Sequence, residues 1–343
     1  MPRSRRRVVR DPLVTLAHGA GGKATRDLVE GLFLEEFGSE PLAALSDAAV
    51  VEGGARLAFT TDAYVVKPLF FPGGDIGELA VNGTVNDLAM VGGRPCWLSA
   101  GFVIEEGFPV DELRRIAASA GRAAHRAGVA IVAGDTKVVE KGKGDGLYVT
   151  TAGVGVVDES VDLSPERVRP GDRVILSGTL ADHGMAVLVA RGDLALEATI
   201  ESDTAPVHEL AADLVALGDR LRWMRDPTRG GLASALNELA QSAGCAVVID
   251  EASLPVAPAV HAACEILGID PLYVASEGRF VAIVAADAAA EALARLRAHP
   301  LGEQAADVGE IRAEPEGLVL LDTALGGSRI VDVLVGDPLP RIC

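Results

Sequence analysis

The sequence predicts an α/β protein built from two domains. Runs rich in β-forming residues alternate with segments of helical periodicity along most of the chain. The length of 343 residues also exceeds what one hydrophobic core usually supports. A turn-rich stretch at 158–172 separates two such alternating series. We therefore place the domain boundary near Pro170.

The first series begins with a predicted strand at 56–66. A helix follows over 113–128 and ends at Gly128, before an apolar run that we predict to be a buried strand. Another strand is predicted at 146–157.

The second series begins at the apolar segment 173–178. Its predicted helices cover residues 183–192, 206–219, 230–244 and 287–299. Its predicted strands cover residues 245–250, 273–285, 306–311 and 328–336. The resulting division is a basic extension at 1–12, an N-terminal domain at 13–165, a C-terminal domain at 170–325, and a last strand with a mobile tail at 326–343.

Charge and hydropathy exclude several classes of function. The chain carries 49 acidic and 31 basic side chains, a net charge of -18, and such a surface repels nucleic acid. No run of eighteen apolar residues predicts a membrane span. The arginine-rich start, MPRSRRRVVR, resembles the charged part of an export signal, but no apolar stretch follows it. We expect a solvated N-terminal extension on a cytoplasmic protein.

Four aspartates stand at predicted strand ends or in loops, namely Asp47, Asp62, Asp87 and Asp226. Mg²⁺ prefers carboxylate oxygens and usually bridges to substrate phosphates, so these residues are candidate metal ligands. Taken singly, each is also typical of a turn or a helix cap.

Two glycine-rich segments are candidates for phosphate binding, because a backbone N–H approaches an anion closely only where no Cβ intervenes. The first, AHGAGGKAT, contains His18, Gly19, Gly21, Gly22 and Lys23, and it departs from the Walker A pattern. Taken alone, this loop is better explained by an ordinary turn. The second, DPTRGG, places Thr228, Arg229 and Gly230 at a predicted helix start, where phosphate binding and plain helix capping both remain open.

Two further segments carry candidate proton-transfer groups. Asp135, Thr136 and Lys137 follow an apolar run, the position at which α/β proteins gather ligands. Lys137 can steer a phosphate or move a proton if burial lowers its pKa. Glu277 occupies a predicted glycine-containing turn between two apolar strands and is a candidate base. The alternative for each residue is a solvated surface charge.

The chain ends in PRIC, so its last residue is a cysteine, Cys343. Seven residues beyond Gly336 reach at most about 23 Å when extended, and the prolines at 338 and 340 limit coiling. A swinging thiol and a frayed end are both compatible with this composition. The other cysteines, Cys96, Cys245 and Cys264, show no metal-ligand spacing.

Together, HGAGG, the segment 60–92, AGDTKVVEKGKGDGLYVTTAGVG, DPTRGGLASALNELA, SEGR and the terminal PRIC resemble the HypE family of hydrogenase maturation factors. This family belongs to the PurM-like, or aminoimidazole ribonucleotide (AIR) synthetase, superfamily. The resemblance implies a PurM-like architecture: an N-terminal sheet domain that dimerises, a C-terminal α/β domain, and an ATP site between the two.

The resemblance also implies the chemistry. Cys343 receives a carbamoyl group from the HypF carbamoyltransferase, and ATP-dependent dehydration converts the S-carboxamide to a thiocyanate, the source of the cyanide ligand of [NiFe]-hydrogenase. Lys137 and Glu277 would handle the protons, and Mg²⁺ would lie on the four aspartates. The HGAGG loop, Asp135, Thr136 and the DPTRGG segment would bind ATP. Cyanide would then pass to iron held by HypC and HypD, which requires the tail to swing out. A buried anchor for residues 338–343 would defeat that motion.

Two other functions compete with this one. Other PurM-like enzymes, such as AIR synthetase, selenophosphate synthetase or thiamine-phosphate kinase, use the same cleft, but a diffusible substrate needs no tethered thiol. A non-catalytic module that binds iron or a partner is the second alternative, although one cysteine without nearby ligands makes a poor metal site.

Overall fold

The computed structural model describes residues 22–28, 30, 49–52, 56–192, 199–334, 339 and 341–343. Within these residues the chain forms two large β-sheets with helices packed on them, which confirms the predicted mixed α/β class. A short helix, α1 (Lys23–Leu28), precedes the first sheet. No described helix combines the length and the hydropathy needed to cross a bilayer.

The first half of the chain supplies one five-stranded sheet. Its strands and a small hairpin are β1 (Ala49–Glu52), β2 (Arg56–Tyr64), β3 (Phe70–Phe71), β4 (Gly74–Asp75), β5 (Gly93–Glu105), β6 (Ala130–Val139) and β7 (Leu147–Val157). The spatial order is β1-β2-β7-β5-β6, and only β5 and β6 run parallel. Helix α2 (Ile76–Met90) packs on β2, β7 and β5, and helix α3 (Val110–Arg126) packs on α2.

Strand β6 lies at the open edge of this sheet, so the prediction of a buried strand is wrong. Its side chains are exposed on both faces, and Val132 and Val138 are 63% and 67% exposed. The strand also continues through Asp135, Thr136 and Lys137, which we expected to follow it. Apolar runs serve interfaces as well as cores, and the sequence pattern does not separate the two. Parallel strands are usually covered on both faces, so this edge is unusual for a free surface.

The second half supplies a seven-stranded sheet in the order β14-β13-β10-β12-β8-β11-β9. Its strands are β8 (Arg173–Leu176), β9 (Leu221–Arg225), β10 (Ala246–Asp250), β11 (Val281–Val284), β12 (Ala306–Arg312), β13 (Val319–Asp322) and β14 (Ser328–Ile330). Its helices are α4 (Asp182–Ala190), α5 (His208–Val215), α6 (Gly231–Ala243), α7 (Pro258–Leu267) and α8 (Ala289–Arg297). Four of these, α4, α5, α6 and α8, confirm the four predicted helices.

This sheet is buried on both faces. Successive side chains of a strand point to opposite faces, and β11 shows this directly. Val281 and Ile283 join the core that contains α6 and α7, whereas Ala282 and Val284 join the core that contains α5 and α8. The first of these cores also includes Tyr64 and other residues of the first half, so the two halves pack against each other.

The segment that carries Glu277 differs from the prediction. Only its second part, Val281–Val284, is a strand, and a 3-10 turn at Pro271–Tyr273 precedes an irregular stretch. The backbone of this stretch bonds to other loops instead of a sheet ladder: the Ser276 N–H donates to the Pro227 carbonyl at 2.9 Å. The predicted last strand is also short, Ser328–Ile330.

The two sheets occupy separate stretches of sequence. The last strand of the first sheet ends at Val157, and the first strand of the second begins at Arg173. The predicted domain limits at 165 and 170 fall between these strands and stay a prediction.

Candidate active site

A polar cleft lies between the two halves of the molecule. Strand β2 and helix α2 form one wall, and the loops after β9 and before β11 form the other. The residues that line it are Asp62, Ala63, Tyr64, Gly83, Asp87, Asp226, Thr228, Arg229, Glu277 and Cys343. It therefore brings together acidic, basic and thiol groups from five separate parts of the sequence.

The first wall is ordered by hydrogen bonds between β2 and α2. Alternation along β2 places Thr60, Asp62 and Tyr64 on the face that α2 covers. The Thr60 hydroxyl donates to Asp87 Oδ2 at 2.7 Å, and the Tyr64 hydroxyl donates to Asp62 Oδ2 at 2.8 Å. A Cβ at Gly83 would lie 2.3 Å from the Tyr64 hydroxyl oxygen, so only glycine allows this close packing.

Three of the four predicted metal ligands, Asp62, Asp87 and Asp226, line the same cleft. Asp226 is only 6% exposed. Among the described residues, no three carboxylate, imidazole or thiol groups are arranged to hold a metal ion by themselves. The donor set nevertheless fits Mg²⁺, which favours carboxylate oxygens and completes its coordination with waters and substrate phosphates. Asp47 lies outside the described residues.

Glu277 is a buried acid of the cleft with a strongly raised pKa. Its side chain is 3% exposed, and Oε1 has no hydrogen-bond partner among the described residues. Burial raises its pKa well above the usual range, and the negative charges of Asp226, Asp203 and Asp62 raise it further, whereas Arg229 lowers it. A carboxyl group that is buried, has one oxygen without a partner and is shifted in pKa within a cleft is a candidate for proton transfer.

Helix α6 begins at the second wall, in the predicted DPTRGG segment. Gly230 and Gly231 adopt positive φ angles of 79° and 62°, which favour glycine. A Cβ at Gly231 would also lie 2.5 Å from the Leu272 carbonyl oxygen. Thr228 and Arg229 line the cleft immediately before this helix. Free N–H groups at a helix N-terminus and a guanidinium together suit an anion such as phosphate.

Cys343 lies inside the cleft, and its side chain forms a hydrogen bond with Arg229. Burial raises the pKa of the Cys343 thiol to about 12, because the opposing effect of Arg229 is smaller and the charges of Glu277 and Asp62 raise the pKa further. The docked thiol is therefore neutral and a weak nucleophile.

The C-terminal tail is anchored by backbone hydrogen bonds. The Val65 N–H donates to a main-chain oxygen of Cys343 at 3.1 Å, and the Lys67 N–H donates to the Arg341 carbonyl at 3.0 Å. Arg191 Nη2 also donates to the Arg341 carbonyl, at 2.9 Å. Leu339 and Ile342 are 3% and 4% exposed.

The docked tail has a buried anchor at the described residues 339 and 341–343, the feature that we expect to defeat outward swinging. Release of the tail has to break these contacts, and the mobile tail stays a prediction.

His183 on α4 is buried beneath the tail. Burial lowers its pKa to about 4, so the ring is neutral. Nε2 lies 2.5 Å from the Ile342 carbonyl oxygen, which can only accept, so Nε2 carries the proton. Nδ1 is then the acceptor for the Ser202 hydroxyl at 2.8 Å. The tautomer is thus fixed by its neighbours, and His183 donates one hydrogen bond to the tail.

Lys137 does not reach the cleft of its own chain. Its Nζ pairs with Asp135 Oδ2 at 2.5 Å, and both side chains are about 70% exposed on β6. Strand β6 stands three strand positions from β2, a separation of about 14 Å. Asp135, Thr136 and Lys137 are therefore not brought together with Glu277 and Cys343 within one protomer.

The glycine-rich loop is described only at its end. Gly22 is buried and Lys23 is exposed, and neither lines the cleft. Arg26 of α1 donates to Gln241 at 2.7 Å, which places α1 beside the last turn of α6, about 15 Å from the start of that helix. His18, Gly19 and Gly21 lie outside the described residues.

Several contributors to the site escaped the sequence reasoning. Tyr64 and Gly83 lie in the same motif segment as Asp62 and Asp87, but no feature of the sequence indicates that they belong to the site. His183 was an isolated histidine in a predicted helix, and nothing in its surroundings indicated a contact with the C-terminus. Asn86, directly before Asp87, likewise has no distinguishing sequence signal.

Comparison with known proteins identifies the two halves. A family model described as AIR synthase related protein, N-terminal domain, matches residues 45–157, and its C-terminal counterpart matches residues 169–321. The carbamoyl dehydratase HypE of Rhodobacter capsulatus is 58% identical over 338 residues, which cover 98% of this chain and 99% of that protein. The chain belongs to the HypE family. This membership confirms the resemblance read from the motifs.

Solved HypE structures share the whole fold. HypE in a HypE-HypF complex is 47% identical, with a TM-score of 0.86, over 90% of this chain and 99% of that chain. HypE in complex with ATP is 44% identical, with a TM-score of 0.81, over 96% of this chain and 100% of that chain. The HypE family architecture therefore accounts for nearly all of the sequence.

Proposed function

We propose that this chain is an ATP-dependent carbamoyl dehydratase that acts on a carbamoyl group carried by its own Cys343. The observation that carries the proposal is the position of the terminal sulfur, in one cleft with Glu277, Arg229 and the aspartates. Relatives of this chain are named carbamoyl dehydratase, and one HypE structure is a complex with ATP. The product is a thiocyanate that supplies cyanide to the iron of a [NiFe]-hydrogenase.

The first step activates the carboxamide oxygen, which is otherwise a very poor leaving group. That oxygen attacks the γ-phosphorus of ATP, an O–P bond forms, and the bond to ADP breaks. One N–H proton leaves, so the intermediate is an O-phosphorylated imidate on sulfur. Arg229, which bonds to Cys343, holds the sulfur in place during this step.

The second step forms the nitrile. The remaining N–H proton leaves, its electron pair forms the C≡N bond, and the C–O bond breaks to release phosphate. The products are the Cys343 thiocyanate, ADP and phosphate. Glu277 is the proton acceptor in this proposal, because its carboxyl group shares the cleft with Cys343 and burial raises its pKa well above the usual range, which makes its carboxylate a stronger base.

The nucleotide would lie along the cleft, with its phosphates at the start of α6 beside Thr228, Arg229 and Gly230. Asp62, Asp87 and Asp226, with Asp47, would hold Mg²⁺, which neutralises phosphate charge when bound. The loop from His18 to Lys23, with Gly19, Gly21 and Gly22, would close over the triphosphate.

A homodimer completes the site in this proposal. Strand β6 is an exposed parallel edge with apolar side chains, and Trp97 on the neighbouring β5 is 50% exposed. We assign a second copy of the chain to this surface. Because Lys137 is remote from its own cleft, we propose that Lys137, with Asp135 and Thr136, serves the cleft of the partner, where Lys137 orients the carboxamide.

Carbamoylation and cyanide delivery both require an undocked tail, because docked Cys343 is protonated and lies partly buried inside the cleft. We propose a HypF-type carbamoyltransferase as the donor and a HypC-HypD complex as the recipient. All four cysteines are free thiols, as expected for a reducing compartment, and we place the protein in the cytoplasm. The tethered thiol in the cleft argues against the AIR synthetase and selenophosphate synthetase alternatives, whose substrates diffuse.

Mass spectrometry of the C-terminal peptide tests the proposal. After incubation with a HypF-type enzyme, its carbamoyl donor and ATP, Cys343 should first gain a carbamoyl group and then lose one water. Without ATP the carboxamide should persist. Glu277→Gln should stall at the same stage, with a dehydration rate lowered about 10²- to 10⁴-fold. An unmodified terminus in the presence of an active transferase would refute the proposal.

A further inference from the structure

We infer that Asn86 is a positioning residue for Glu277, and that it aligns the Glu277 carboxyl group with the aspartates on the opposite wall of the cleft. The inference rests on the function proposed above. Asn86 lies on α2, directly before Asp87, whereas Glu277 belongs to the other half of the molecule. The catalytic groups of the two walls therefore need a link, and Asn86 is placed to provide it.

The side chain of Asn86 is 1% exposed and bonds across the boundary with every polar atom it has. Its Nδ2 group donates to the Glu277 carbonyl at 3.1 Å and to the Ala205 carbonyl at 3.0 Å. Its Oδ1 accepts from the Val207 N–H at 2.8 Å. One amide from the first half thus holds two segments of the second half.

The Glu277 peptide is held from its other side by Asp203. The Glu277 N–H donates to Asp203 Oδ1 at 3.0 Å. A Cβ at Gly278 would lie 1.8 Å from the Asp203 carbonyl oxygen, so only glycine permits this approach. Residues 274–279 have no sheet ladder, so the bonds from Asn86 and Asp203 hold the Glu277 peptide itself, beside the bond from the Ser276 N–H to the Pro227 carbonyl.

Precise placement matters for a group that transfers protons. Catalytic groups need to be held within about 0.5 Å of the productive geometry, and a shift of about 1 Å can cost about 100-fold in rate. Loss of the Asn86 bonds leaves the Glu277 carbonyl without its donor and frees the loop from α2. The chemical step should suffer, whereas the nucleotide contacts at Thr228 and Arg229 remain in place.

A second buried asparagine provides a matched control. Asn237 on α6 is 3% exposed, and its Nδ2 group donates to the Ala233 and Val331 carbonyls, each at 2.8 Å. It resembles Asn86 in burial and in the two carbonyls that it satisfies, but neither of these bonds goes to the Glu277 loop. Loss of either asparagine should lower thermal stability, so stability alone does not distinguish them.

The test compares Asn86→Ser with Asn237→Ser in full-length protein carbamoylated on Cys343. The single-turnover dehydration rate is measured over a range of ATP concentrations. We expect Asn86→Ser to lower the rate at saturating ATP about 100-fold, with the ATP concentration for half-maximal rate changed less than about threefold. Asn237→Ser should stay within about threefold of wild type in both quantities.

A folded Asn86→Ser protein that dehydrates at the wild-type rate would overturn the inference, as would an equal rate loss in Asn237→Ser. Where the serine variant does not fold, Asn86→Leu keeps the packing volume and removes the same three hydrogen bonds, with Asn237→Leu as its control. Failure of the wild-type protein to dehydrate at all would instead count against the proposed function.

Discussion

The docked tail leads to a prediction about the accessibility of Cys343. His183→Ala removes a side-chain donor that bonds to the Ile342 carbonyl at 2.5 Å. It also removes the edge-to-face contact between the His183 and Phe71 rings, whose centroids are 5.4 Å apart. Both contacts lie beneath the tail, so their loss should favour the undocked position.

The size of the effect follows from the hydrogen bond. A buried carbonyl that loses its donor costs about 1–3 kcal/mol, and every 1.4 kcal/mol is a factor of about ten in an equilibrium. The undocked fraction, and with it the alkylation rate of Cys343, should therefore rise about 5- to 150-fold. The docked thiol contributes little to that rate, because burial raises its pKa to about 12.

Alkylation by iodoacetamide, followed by mass spectrometry of each cysteine peptide, measures this rate. Cys245 and Cys264 are buried in the core and report global unfolding in the same sample, so their rates should not change. His261→Ala is the matched control, because the His261 side chain is 58% exposed on α7. A wild-type Cys343 that reacts as fast as a free peptide ending in PRIC would refute the docked position, and an unchanged rate in His183→Ala would refute the role of this histidine.

Three further predictions concern acid, the second protomer and the metal. Because the pKa of His183 is about 4 when the tail is docked and about 6.5 when its ring is solvated, docking should weaken as pH falls from 6.5 to 4. At pH 5 the docking equilibrium constant should be lowered at most about 30-fold. The labelling rate of Cys343 by dithiodipyridine, divided by that of the free peptide, should rise accordingly, and a constant ratio from pH 7 to pH 5 would contradict the prediction. Mixing inactive Lys137→Met and Glu277→Gln protomers in equal amounts should restore about a quarter of the wild-type activity, because about half of the dimers are mixed and each mixed dimer holds one intact site of two. No recovery despite subunit exchange would place Lys137 elsewhere. Chelation of Mg²⁺ should stop dehydration, and Asp87→Asn should raise the Mg²⁺ concentration for half-maximal rate at least about tenfold; a rate that survives chelation would contradict the metal assignment.

The sequence predicted which residues form the site, but it did not predict how they are arranged in space. Asp62, Asp87, Asp226, Glu277 and Cys343 were each ambiguous alone, and their joint resemblance to one family gave them a common place. The structure brings all five to one cleft. Periodicity could not have done this, because it describes local segments and contains no information on which distant segments meet.

Three features were beyond local patterns for physical reasons. An apolar run such as β6 is the same whether a core or a partner covers it, so its exposure could not be read from sequence. The Glu277 loop has apolar neighbours that resemble a strand, but its backbone bonds to Asn86 and Asp203 instead. The tail anchor joins His183 to a residue 159 positions away. Contacts at such separations depend on tertiary packing.

The fate of one oxygen atom tests the central claim most directly. If the Cys343 carboxamide is made with ¹⁸O in its carbonyl group and then supplied with unlabelled ATP, the account predicts that each turnover transfers that ¹⁸O into the inorganic phosphate released. Mass spectrometry of the phosphate measures it. Unlabelled phosphate released alongside thiocyanate formation would contradict phosphorylation of the carboxamide oxygen and the mechanism built on this cleft.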